Sequence, residues 1–220
     1  MCAARAGRVP VQVRFAIDLT SEEYVSQQGW KSASLAHCPL HPSGGCGYGR
    51  HGTYERVEPP GTRIARWYCR RGQTTISLLP DCLASHLSGS LAEVEAAVNA
   101  VEHATSVEAA ADAQRPLIDL PGAVRWTWRR VRMVRRFLTT LIGLMPARFA
   151  SCQPTLASFR AALSTADVLV TLRAIAAADL AQLVVPVRFD HRAQRGHGRR
   201  GRGQQRAGPD SPPDPGDGRS

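Results

Sequence analysis

Residues 37–81 read HCPLHPSGGCGYGRHGTYERVEPPGTRIARWYCRRGQTTISLLPD, and this stretch decides what the rest of the chain folds around. Three of the six cysteines (Cys38, Cys46, Cys69) and three of the seven histidines (His37, His41, His51) fall inside it. Thiolate and imidazole suit Zn²⁺, and a structural zinc site closes with four such ligands in a tetrahedron. Small modules use such a site where they cannot bury enough apolar surface to fold alone. The segment therefore reads as a zinc ribbon. Gly47 after Cys46 suits a knuckle whose backbone turns its amides toward a thiolate. Residues 51–58 carry Thr53, Tyr54 and Val57 as a first strand, and Pro59-Pro60-Gly61 is a turn. Residues 63–69, with Ile64, Trp67 and Tyr68, form the returning strand. Residues 74–79 make a third, stopped at Pro80-Asp81.

The fourth ligand does not come from a second C-x2-C, because Arg70, Arg71 and Gly72 follow Cys69. His41 completes a C-x2-H pair with Cys38 on one tight loop. The expected set is thus Cys38, His41, Cys46 and Cys69, with His51, Cys82 and His86 in reserve. The bland alternative is three ordinary buried thiols around a metal-free hairpin.

The run C-G-x3-H-G-x-Y-x-R, then I-x-R-x-x-C, then S-L-L-P-D occupies Cys46, Gly47, His51, Gly52, Tyr54, Arg56, Ile64, Arg66, Cys69, Ser77, Leu78, Leu79, Pro80 and Asp81. It resembles the zinc-ribbon segment of an uncharacterised bacterial family related to transposases. The resemblance implies a helix-turn-helix after the ribbon. Two departures stand out. The first ligand pair is spaced x7 rather than x2, and Gly72 occupies the position of the family's last ligand cysteine.

The chain has 220 residues, a hydrophobic fraction of 43% and a formal net charge of +10, with Lys31 its only lysine. A balance this basic points to a polyanionic partner such as nucleic acid, although GC-rich coding also enriches arginine. No apolar h-region follows the arginines of residues 1–10, and no run reaches the ~20 apolar residues that span a bilayer. A cytoplasmic protein with reduced cysteines and no membrane partner is expected.

The expected architecture is α+β and mainly α. Residues 1–36 form an arm with a short strand at 11–17 and a helix behind the capping box Thr20-Ser21-Glu22-Glu23. The three-stranded module spans 37–83. A helix-turn-helix-like block covers 90–145: a helix after the box Ser90-Leu91-Ala92-Glu93, a short helix over 107–114, and a long helix from Pro121 to Leu144 with Asp119 as N-cap. Helices over 155–163 and 166–183 pack on that block, with Cys152 a packing thiol in the connection before them. The Gly-, Arg- and Pro-rich tail 190–220 lacks apolar periodicity and is expected to be disordered. Cys2 has no nearby partner.

On the long helix Arg125, Arg129, Arg132 and Arg136 recur at i, i+4, i+7 and i+11, with Arg130 and Arg135 flanking them. No acidic residue lies between Asp119 and Asp167. Arg125, Arg129, Arg130, Arg132 and Arg136 are therefore the expected contacts to duplex DNA, by analogy with a recognition helix in the major groove. Val124, Trp128, Val131, Leu138 and Leu141 form the apolar stripe. Against this, any solvated helix face looks arginine-rich, and the connection 115–121 is long for a helix-turn-helix.

Catalysis is not expected. No strand–helix alternation follows Leu83, no phosphate-cradling or nucleophile-elbow motif is present, and Glu93, Glu95, Glu102, Glu108 and Asp112 read as solvated helix positions. Two functions remain: a transposase-related or regulatory DNA-binding protein with a structural Zn²⁺, or a non-catalytic interaction module that homodimerises.

Overall fold

The computed structural model describes residues 11–189. The first ten residues, with Cys2, and the tail 190–220 lie outside the described residues. Three strands, β2 (Tyr48–Glu55), β3 (Arg63–Cys69) and β4 (Thr74–Pro80), form an antiparallel meander. β1 (Val11–Phe15) then lies parallel to β4, with Val11 opposite Ile76 and Phe15 opposite Pro80. The order is β1-β4-β3-β2, so the sheet has four strands and not the expected three. The alternation of Val11, Val13 and Phe15 announces a strand, but nothing local announces a parallel partner some sixty residues away.

Successive side chains of a strand face opposite sides, and here each side has its own core. Ile64 and Leu79 join Tyr24 and the helices in one cluster; Ala65, Trp67, Cys69, Ile76 and Leu78 join Val11, Ala33, Cys38 and Cys46 in another. The sheet is thus a middle layer, with helices on one face and the loop 32–47 on the other. Arg50 ties that loop down by donating to Ala33 O (3.4 Å) and, just ahead of the loop, to Trp30 O (2.7 Å), and the Tyr48 hydroxyl donates to Ala36 O (2.7 Å).

The helix starts follow their caps. Thr20 and Glu23 close a reciprocal box on α1 (Ser21–Ser26), and Ser90 and Glu93 close another on α2 (Leu91–His103). Ser106 caps α3 (Val107–Gln114), and Asp119 accepts from Gly122 N–H at the head of α4 (Leu120–Leu144). After a single turn, α5 (Pro146–Phe149), come α6 (Leu156–Leu163) and α7 (Val168–Ile175). The helix expected over 166–183 thus stops eight residues early. The chain breaks into tight turns after Ile175, which lets Leu180, Leu183, Val187 and Phe189 all reach the helical core; Phe189 N–H returns to Leu180 O (3.2 Å).

Two acids expected on solvated faces are structural instead. Glu95 is buried, accepts the Val168 and Leu169 amides (3.2 and 3.1 Å) and pairs with Arg160 (3.1 Å). Seven residues on, Glu102 accepts the Leu156 and Ala157 amides (2.9 and 3.1 Å). One face of α2 therefore caps the open N-termini of α6 and α7, where free N–H groups and the helix dipole favour a carboxylate.

Three arginines fasten the loop that leads from the sheet to α2. Arg14 forks onto the Asp81 carboxylate (Nε 2.8 Å, Nη2 2.7 Å). Arg56 donates to Ala84 O (3.2 Å) and to Leu87 O. Arg173, fully buried on α7, donates to Asp81 O and Leu83 O (2.7 Å each) and to Pro186 O (2.9 Å). Among the described residues, no helix is long and apolar enough to cross a membrane.

Candidate metal centre and basic helix face

The cage is assembled by two knuckles. His41 N–H returns to Cys38 O (3.1 Å), which closes the 38–41 turn and points the Cys38 and His41 side chains the same way. Cys46 ends the loop; Gly47, at φ +60, then turns the chain into β2. Pairing of Tyr48 with Cys69 sets the end of β3 beside it, and Arg71 N–H bonds Cys46 O (3.2 Å). Beyond Cys69 the chain folds back so that Gly72 N–H donates to Cys69 Sγ (3.2 Å).

The ligand atoms of Cys38, His41, Cys46 and Cys69 all lie within 4.8 Å of one another. His41 Nδ1 is 3.8 Å from Cys38 Sγ and 3.4 Å from Cys69 Sγ. Metal–sulfur bonds of about 2.3 Å and metal–nitrogen bonds of about 2.0 Å give tetrahedral edges of about 3.5–3.8 Å. The two nitrogen–sulfur separations fit that figure, and all three sulfurs are free thiols rather than disulfide partners. Burial pushes the Cys38 thiol up to about 11, against the pull of the Leu40 and His41 amides on its sulfur. Such amides favour thiolate, the form that binds metal. This set can hold a metal ion, as the ligand spacing led one to expect. The reserves are elsewhere: His51 stacks on Tyr68 (5.6 Å between centroids), Cys82 is buried in the helical cluster, and His86 lies on the loop after β4.

Gly72 explains how the cage closes without a second C-x2-C. A Cβ at that position would lie 3.1 Å from Leu40 Cδ1, 3.2 Å from Cys69 Sγ and 3.5 Å from His41 Cε1, so the flexible end of Leu40 must give slightly to admit it. A side chain there would point into the cage, and the His41 imidazole fills that place from the opposite knuckle. Replacing His41 with alanine should weaken metal binding by more than about 100-fold, beyond the loss typical of outer-shell changes. Adding Gly72→Cys to His41→Ala should recover most of it, measured by competition with a chromophoric chelator. No recovery would mean that position 72 does not face the ion.

On α4 the structure divides the predicted arginines. Arg125, Arg129, Arg132 and Arg136 are exposed, on the side opposite the buried Thr127, Val131, Val134 and Leu138. Arg130 is not: it is 4% exposed and lies over the Trp126 ring, 3.5 Å from its centroid. It stands one position round the helix from the exposed row, on the core side, so it leaves the expected DNA-contact set. The apolar stripe is rotated in the same sense, leaving Val124 and Trp128 only partly buried. Trp128 and Met133 floor a shallow groove of about 470 Å³ walled by Arg125, Arg129 and Arg132, with the Arg132 guanidinium 5.7 Å from the Trp128 ring. Sequence reasoning placed Trp128 in the core; the signal that it is shared with solvent was its position beside three arginines.

No protein-family model, curated protein or solved structure matches this chain.

Proposed function

We propose that the chain is a DNA-binding protein whose sheet is a Zn²⁺-pinned ribbon and whose helix α4 lays Arg125, Arg129, Arg132 and Arg136 along the phosphates of a duplex. Three thiolates and one imidazole suit Zn²⁺ over harder ions, and four protein ligands leave no open position for substrate, so the ion is structural. Its chemistry is to hold the loop 38–46 against the end of β3; no reaction is assigned to it. The motif likeness to the zinc-ribbon segment of an uncharacterised bacterial family related to transposases, which implies a helix-turn-helix after the ribbon, supports this reading, as does the order α2, α3, α4.

One observation carries the proposal: four guanidinium groups share the solvent face of α4 and none forms an ion pair among the described residues. Exposed arginines unneutralised by neighbours attract a polyanion and release its counterions. Duplex affinity is expected to fall with salt at a log–log slope of roughly −3.6, from four contacts at about −0.9 each. Changing Arg125, Arg129 and Arg132 together to glutamine should flatten that slope by roughly 2.7 without loss of fold, since all three are exposed. Fluorescence anisotropy across a salt series checks both figures; an unaltered slope in the triple variant would remove α4 from the interface.

A second reading rests on the α3–α4 turn. Leu117 is 98% exposed, Ile118 38% and Leu120 45%, a cluster of apolar side chains that suits a protein contact or a homodimer. A stable oligomer on a sizing column, unchanged by the arginine substitutions and without duplex affinity, would favour it.

A further inference from the structure

Displacement of Arg130 from the DNA face leaves a buried cation to be accounted for. Among the described residues its guanidinium makes a single hydrogen bond, Nη1 to Trp126 O at 3.5 Å, and forms no ion pair, and its Nε is buried with no partner there. The Trp126 ring that it covers is also approached by Arg115, whose Cζ is 4.7 Å from the ring centroid. Two cations thus share one indole. A cation–π contact returns less than the removal of an ion from water costs, and the two carboxylates that act on Arg130, Glu93 and Glu58, do so without forming an ion pair with it among the described residues. Burial, then the neighbouring Arg115, pushes Arg130 down to about 10, which still leaves it charged at neutral pH.

Both guanidinium groups line a cleft of about 310 Å³. The volume lies at the small end of ligand sites, about 300–1,000 Å³. The Trp126 indole and the Ala96 and Ala97 methyls give it an apolar wall. Glu58 and Glu93 also border it, but Glu93 is committed to the Ser90 amide (2.6 Å) and Glu58 is exposed. Their charges oppose a dianion such as phosphate, while one carboxylate held by the two arginines remains compatible with them.

We propose that this cleft binds a small molecule bearing a carboxylate on an apolar body: the carboxylate is received by Arg130 and Arg115, and the body packs among the Ala96, Ala97 and Trp126 side chains that line the cleft. Planar, bidentate recognition of a carboxylate is what a guanidinium fork provides. The site is independent of the α4 arginine row and stands whether or not that row meets DNA.

Calorimetric titration of the full chain with benzoate, benzamide and inorganic phosphate tests it. Benzoate is expected to saturate with a Kd of about 1 mM or tighter. Benzamide, isosteric but neutral, should bind at least about tenfold more weakly, and phosphate no better than benzamide. Arg130→Met should weaken benzoate by about tenfold or more. Because Arg130 is buried, Arg115→Gln provides a second variant on a more exposed side chain, with a several-fold loss and an unchanged melting temperature. Equal binding of benzoate and benzamide, preference for phosphate, absence of saturation by benzoate, or full affinity in folded Arg130→Met or Arg115→Gln overturns the proposal.

Discussion

Cys69→Ala should abolish tight metal binding and lower the melting temperature by roughly 8–16 °C. Cys69 is the cage residue contributed by a strand, fully buried where β3 meets the loop that carries the other three ligands. An ion present at about 1,000 times its Kd contributes about 4 kcal/mol to stability, and for a chain of this length 1 kcal/mol moves the midpoint by about 2–4 °C. Removal of an ordinary packed thiol costs far less, on the order of 1 kcal/mol. The two cases separate cleanly in one further measurement. Chelation should lower the wild-type midpoint to that of Cys69→Ala and leave the variant where it is. A wild-type midpoint indifferent to chelator would return Cys38, Cys46 and Cys69 to the role of core thiols.

Arg173→Ala should cost about 4 kcal/mol, read as a lowered urea midpoint with unchanged slope. The side chain is fully buried and, among the described residues, receives no carboxylate; its donors go to the carbonyls of Asp81, Leu83 and Pro186 instead. Alanine empties the volume above Phe189, whose ring lies 4.9 Å from the guanidinium carbon, and strips the donors from Asp81 O and Leu83 O. Pro186 O retains Ser85, which reaches it through its amide (2.9 Å) and hydroxyl (2.8 Å). Orphaned buried carbonyls cost about 1–3 kcal/mol each, and the lost volume adds to that. Arg173→Lys keeps a cation but has no planar fork, so it should recover little. A loss under 1 kcal/mol in the alanine variant would show that sheet and helices are joined by apolar packing alone.

The local parts of this structure were legible because their causes are local. Thr20 and Glu23, or Ser90 and Glu93, are three residues apart and announce their helix starts before any packing is known. The cage was legible for a related reason. Cysteine and histidine crowd a span short enough that two tight turns and one strand pair must bring them together, and C-x2-H left His41 the nearest fourth ligand. What escaped depends on partners distant in sequence. β1 pairs with β4 across more than sixty positions, and Glu95 serves amides more than seventy residues further on. Arg130 and Arg129 are adjacent in sequence and carry the same charge, yet one position round the helix is the difference between solvent and Trp126. Helical periodicity gives a face to within about one residue, and Arg130 fell inside that margin. Motif positions read as ribbon identity, Arg56 and Asp81, prove to be fasteners of the loop that leaves the sheet.

The most direct test is the metal content and ligand environment of the full chain purified without added metal. One Zn²⁺ per chain is expected, with an X-ray absorption shell of three sulfurs near 2.3 Å and one nitrogen near 2.0 Å. Chains that carry no metal and take none up from buffered Zn²⁺, with Cys38, Cys46 and Cys69 all open to alkylation, would contradict the cage on which the ribbon depends.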